Sequence, residues 1–167
     1  AFLSKIVEKV VIKQVNDHVE TNNLHSQHQS AYKANFSTET ALCLLINNLL
    51  WAMEKGEVSV MVALDLSAAF DTVDHQVLVS VLQKNFGIDE KALDWLQSYL
   101  KDRQMQVQID NVSSPVKTFN YSVPQGSCLG PVLFNIYAST IINCISSVQD
   151  LGGYADDHYL RDQFRPS

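Results

Sequence analysis

The sequence is short of positive charge. Its 12 Lys and Arg stand against 18 Asp and Glu, a formal net charge of −6, and that balance supplies little of the phosphate neutralisation behind strong nucleic-acid binding. The deficit is uneven: residues 61–110 hold eight acids against four bases, while residues 1–60 are nearly balanced. Long apolar runs are missing too. None reaches the roughly 18 residues of a membrane span, and Ala1-Phe2-Leu3-Ser4-Lys5 lacks the layout of a signal peptide. No membrane partner is expected, and an intracellular location is. Cys43, Cys128 and Cys144 form no Cys-x-x-Cys pair and leave an odd thiol, which fits a reducing compartment and excludes a disulfide framework. What remains, 167 residues with 46% apolar and 18% charged, is an ordinary globular composition, enough for one domain with a core.

The hydrophobic spacing predicts a run of helices. Ser4 caps a first helix to about Glu20, with Val11, Val15 and Val19 on its apolar stripe. Lys5, Lys9 and Lys13, interleaved with Glu8, read either as a solvated face or as a contact to a nucleic-acid backbone. Thr21 to Ser37 is polar and reads as a loop; His25 and His28 lie in it without partners at zinc-site spacing. Ser37 and Thr38 cap a second helix, apolar around much of its circumference from Ala41 to Met53, so burial is expected, and Gly56 ends it. Asp74 and Asp89 cap two further helices carrying Val77, Leu78, Val81 and Leu82, then Leu93, Trp95, Leu96 and Tyr99. Gln104 to Asp110 alternates as a half-exposed strand that turns at Asn111–Ser114 and returns over Val116–Tyr121. A last helix starts near Gly130-Pro131.

The stretch with most chemistry is Tyr154-Ala155-Asp156-Asp157, behind Gly152-Gly153 and before the short returning strand Tyr159-Leu160. Neighbouring strand residues point to opposite faces, so both acids can serve one cation only at a turn. Two carboxylates about 4 Å apart repel by roughly 4 kcal/mol at an effective dielectric near 20, a cost that a divalent cation removes; an ordinary solvated turn is the alternative. His158, directly after the acids, reads as a turn residue or as a proton shuttle. A third acid lies far upstream: Val58 to Leu64 is a nearly unbroken apolar run, expected to be a buried central strand, and it ends in Asp65. Carboxylate oxygens suit magnesium, and three acids could hold two ions roughly 3.5–4 Å apart. Ser67, Asp71 and His75 lack the glycine-flanked turn of a nucleophile triad.

Leu64 to His75, Ser122 to Pro131 and Tyr154 to Asp157 resemble, in order and spacing, the three core palm motifs of reverse transcriptases. The Phe70-Asp71-Thr72-Val73-Asp74-His75 wording is most similar to that of non-LTR (LINE-type) retrotransposons. The resemblance implies RNA-directed DNA polymerase activity with Asp65, Asp156 and Asp157 as catalytic and metal ligands. It implies two Mg²⁺ ions, with Mn²⁺ a possible substitute, and an RNA template, a DNA primer and dNTPs as partners. Four residues would contact the nucleotide. Lys33, in Ala31-Tyr32-Lys33 where the family has Gly-Phe-Arg, would face the triphosphate; otherwise it is a surface lysine. Phe70 would lie under the sugar and reject a 2′-hydroxyl; a core aromatic between strand and helix is compatible with that. Gln125 and Gly126 would meet the nucleotide and templating base, in a segment that also reads as a plain strand-to-helix turn.

The fold class expected is α/β (α+β): a small, mostly antiparallel palm sheet made of the Asp65 strand, the Gln104–Tyr121 hairpin and the acidic hairpin, with helices on one face. Residues 1–57 would be partial fingers and 58–167 partial palm of one continuous domain. The family continues with a primer-gripping segment and a thumb, so the resemblance implies a fragment that is inactive alone. A catalytically silent remnant with a structural or weak nucleic-acid-binding role is one alternative. A di-metal phosphohydrolase is another, against which Phe70 and Gln125-Gly126 argue. An RNA polymerase usually has a polar residue at the Phe70 position. A nuclear location would follow from target-primed retrotransposition.

Overall fold

Side-chain caps open several helices of the computed structural model, which describes residues 2–26, 28–66, 68–124, 126–143 and 150–166. Helix α1 spans Phe2–Thr21 and α2 spans Thr38–Glu54, opened by a capping box in which Ser37 and Thr40 exchange side-chain and backbone bonds. Asp74 accepts from the amides of Gln76 and Val77 at the start of α3, His75–Lys84. Asp89 accepts from Glu90 at the start of α4, Glu90–Leu100. Helix α5 is Gly130–Asn143.

The main sheet has three strands: β1 (Val58–Asp65), and, after the four short strands below, β6 (Asp150–Tyr154) and β7 (Asp157–Phe164). Their order is β1-β7-β6, every pair antiparallel. The Gln104–Tyr121 region stays outside it, which corrects the sequence-based expectation. It forms two separate ribbons, β2 (Arg103–Met105) with β5 (Lys117–Phe119) and β3 (Gln108–Ile109) with β4 (Val112–Ser113). Met105, Val107 and Ile109, expected to share one face by alternation, are divided between the two ribbons and the link between them, and all three are exposed.

The core is helical. Val15 and Val19 of α1, Leu78 and Leu82 of α3, Leu93 and Leu96 of α4, and Leu133 and Phe134 of α5 are buried together, closed by Val73, Val123 and Leu129 from the connecting loops. Two elements expected to be buried are not. Strand β1 lies at the sheet edge with Val58, Val60, Met61 and Val62 exposed. Of α2, Ala52 is buried while Leu42, Leu44, Ile46, Leu50, Trp51 and Met53 are exposed, because α2 meets the domain along one side, against β1 and β6. Asn48 of α2 donates to Asp150 at 2.9 Å, and the Arg161 guanidinium meets the same carboxylate oxygen at 3.1 Å, tying the helix to the sheet.

Candidate active site at the acidic hairpin

Strands β6 and β7 are joined by Ala155-Asp156, with Tyr154 and Asp157 the last pair of the ladder. Ala155 takes φ 57°, the left-handed value that the first position of a tight hairpin loop requires. In β6 the glycines serve close packing. A side chain at Gly152 would run into the Tyr159 ring opposite, and one at Gly153 would come within 2.7 Å of the His158 ring. The two rings come from neighbouring residues of β7, so each covers a different face of the hairpin.

On the other side of β7, Asp65 stands directly opposite Asp157. Paired residues of an antiparallel ladder send their side chains to the same face with Cβ atoms about 4.5–5.5 Å apart, and like charges in that relation destabilise the sheet. Asp65 and Asp157 are exposed and Asp156 is half-buried. Both paired acids line a cavity of about 730 Å³ between α2 and the sheet, together with Tyr159, Leu45 and Asn48. Hard carboxylate oxygens from facing strands fit a divalent cation. Among the described residues, no three His, Cys, Asp or Glu side chains already form a closed metal cluster. The backbone brings the three acids to one end of the sheet, two of them face to face and the third on the turn.

The sequence-predicted nucleotide contacts fall on two sides of the chain's loop structure, Phe70 and Gly126 in the loops after β1 and before α5, and Lys33 in the loop before α2. Phe70 stacks on Phe134 of α5 with ring centroids 4.7 Å apart, so it is packed against the core. Its loop is laced to the segment before α5: Val123 donates to the Phe70 carbonyl at 2.9 Å, Ser122 to that of Val73 at 2.9 Å, and His75 Nε2 lies 2.7 Å from the Ser122 carbonyl. Gly126 follows with φ +77°, and a side chain there would meet nothing within 4 Å, so the space beside it is open. Gln125 lies outside the described residues, as do Ser67 and Cys144. On the other side, the Lys33 ammonium sits 4.6 Å over the Phe36 ring and 3.5 Å from the Ser26 carbonyl, a bond within its own loop. The preceding residue is closer to the acids: burial first, then the Asp156 carboxylate and Tyr154, raise the Tyr32 hydroxyl above its ordinary pKa.

Three contacts were not visible to sequence reading. Glu8, read as part of a solvated face, is buried and accepts from the amides of Cys128 and Leu129 at 2.7 and 3.3 Å, so α1 supplies a carboxylate to the start of α5. Gln29 is buried against the acidic turn. His158 is a buried strand residue, not a turn residue; its Nδ1 lies 3.2 Å from the Asp156 carbonyl, to which it donates when that nitrogen carries the proton.

Residues 1–161 match the family model described as "Reverse transcriptase (RNA-dependent DNA polymerase)". The chain is 31% identical over 83% of its length to a probable RNA-directed DNA polymerase from transposon BS of Drosophila melanogaster. It is 30% identical over 82% of its length to the RNA-directed DNA polymerase from mobile element jockey of the same fly, and 30% identical over 57% to a Pol polyprotein from retrotransposable element R2 of Popillia japonica. It spans about 15% of the length of the two fly proteins. The apo telomerase of Candida tropicalis, truncated from its C-terminal domain, shares the fold at a TM-score of 0.64 with 18% identity, over 93% of this chain and 33% of that one. With Asp65 and the Tyr154–Asp157 turn at one end of an antiparallel sheet and a family match over residues 1–161, this chain belongs to the reverse transcriptase (RNA-dependent DNA polymerase) family.

Proposed function

We propose that this domain performs RNA-directed DNA synthesis, transferring deoxynucleotides from dNTPs to a primer 3′-hydroxyl on an RNA template. The observation that carries the reading is the register that sets Asp65 opposite Asp157 beside a turn bearing Asp156. Like charges paired across a ladder destabilise it, and a cation between these two carboxylates would offset that cost. Asp65, Asp156 and Asp157 would hold two Mg²⁺, or Mn²⁺ in their place. Bound there, such ions supply charge neutralisation on the leaving pyrophosphate and a lowered pKa for the attacking hydroxyl.

The remaining residues orient the substrate. Phe70, fixed against Phe134, would present a rigid ring to the sugar and select against a 2′-hydroxyl. Gly126 leaves open space for a base pair to approach backbone, with Gln125 beside it in sequence. Lys33 would exchange its bond to the Ser26 carbonyl for the triphosphate, which it meets as a point charge. Single-turnover primer extension by the full-length protein tests the assignment: Asp65→Asn should abolish the chemical step, Asp162→Asn on the same sheet should leave it intact, and a wild-type rate for Asp65→Asn refutes the reading.

A further inference from the structure

The loop before α2 contains one buried amide side chain whose bonds all converge on backbone. Gln29 Nε2 donates to the Ala155 carbonyl at 3.0 Å, and its Oε1 accepts from the Ala155 amide at 3.0 Å and from the Ala31 amide at 3.0 Å. A single side chain thus satisfies both polar backbone groups of the residue immediately before Asp156. That residue is an alanine at φ 57°, a conformation that only surrounding structure holds in place. The loop is seated on the hairpin by neighbouring bonds as well. Ser30 donates to the Gly153 carbonyl at 2.9 Å, His28 Nδ1 lies 2.6 Å from the Leu151 carbonyl, and Asn135 of α5 donates to the Ala31 carbonyl at 2.7 Å. Tyr32 and Lys33 follow directly, Tyr32 itself at φ 56°.

Any amino acid of similar bulk would fill the space. Only an amide of this length offers an acceptor for two N–H groups and a donor for a carbonyl at once. Asn is one methylene short, Glu cannot donate when ionised, and Met offers neither. The specificity of that donor and acceptor pattern points to alignment more than to packing.

We propose that Gln29 is the positioning residue of the acidic turn, fixing Ala155 and through it Asp156, and tying the turn to the loop that carries Lys33 as one rigid unit. The inference rests on the reading of Asp156 as a functional carboxylate. It predicts that the amide transmits alignment between the nucleotide side and the acidic side of the site, and that its loss harms the rate constant, not the number of folded sites.

The test uses the full-length protein with two readouts. In metal-free hydrogen exchange, Gln29→Met should expose the Ala155 amide at least tenfold faster, with the α3–α5 core unchanged. In single-turnover extension at saturating dNTP it should lower the rate constant by about 10- to 100-fold at an unchanged burst amplitude. An unchanged rate constant and exchange overturn the proposal; so does a reduced burst amplitude with an unchanged rate constant, which marks a purely structural role. If Gln29→Met does not fold, Gln29→Glu decides: it keeps both acceptor bonds, and a lowered rate constant at full amplitude supports the proposal while a wild-type rate constant overturns it. Asp156→Asn runs alongside. Its retention of wild-type rate sinks the functional reading itself, whereas its inactivity beside a fully active Gln29→Met sinks the Gln29 proposal alone.

Discussion

At the scale of single residues, the acids declare themselves in sequence and their supports do not. Asp65 could be read from its place at the end of an apolar run, and Asp156-Asp157 from glycines and a short returning strand. Nothing local marks Glu8 or Gln29, whose partners lie 120 and 126 residues away. One predicted consequence concerns Glu8. Replacing it with Ala leaves two N–H groups at the start of α5 without their acceptor, and urea unfolding should show a loss of about 1–3 kcal/mol; an unchanged midpoint would mean that water replaces the carboxylate without cost. A second concerns Phe70. Phe70→Val removes the ring that would lie under the sugar, so the ratio of rNTP to dNTP incorporation should rise at least tenfold, and an unchanged ratio removes Phe70 from sugar selection.

At the scale of elements, the starts of α2, α3 and α4 were legible because caps are local chemistry: Ser37, Asp74 and Asp89 sit where side-chain oxygens meet free amides, whereas α1 begins at Phe2, ahead of the cap expected at Ser4. Burial was not legible for α2 and β1. An apolar run reports that a segment wants cover, and says nothing of what supplies it. Here the helix rests on the sheet by one side, leaving Leu42, Leu50, Trp51 and Met53 exposed next to the bare edge of β1. Several exposed large apolar side chains on one helix mark a contact region, and an exposed apolar edge strand invites pairing between copies. The isolated 167-residue chain should therefore self-associate in sedimentation, and Leu50→Lys with Trp51→Lys should shift it towards monomer. Monomer at all concentrations without those changes would show that the surface is covered in solution by rearrangement.

At the scale of the whole molecule, three separated motifs in order carried the family, while the sheet they build was narrower than the sequence suggested. The Gln104–Tyr121 hairpin pairs within itself, since its alternation sets which residues share a face but not which strand lies alongside. Charge is the other global property. At −6 the isolated chain should hold primer-template weakly and give no extension product with poly(rA)/oligo(dT) and Mg²⁺; processive synthesis by this chain alone would contradict that. The central claim, that Asp65 and the Asp156-Asp157 turn form one cation site, is tested most directly by electron paramagnetic resonance of Mn²⁺ titrated into the full-length protein. Binding should be lost in Asp65→Asn and in Asp156→Asn and kept in Asp162→Asn. Equal Mn²⁺ binding by all three variants would show that these carboxylates do not act together.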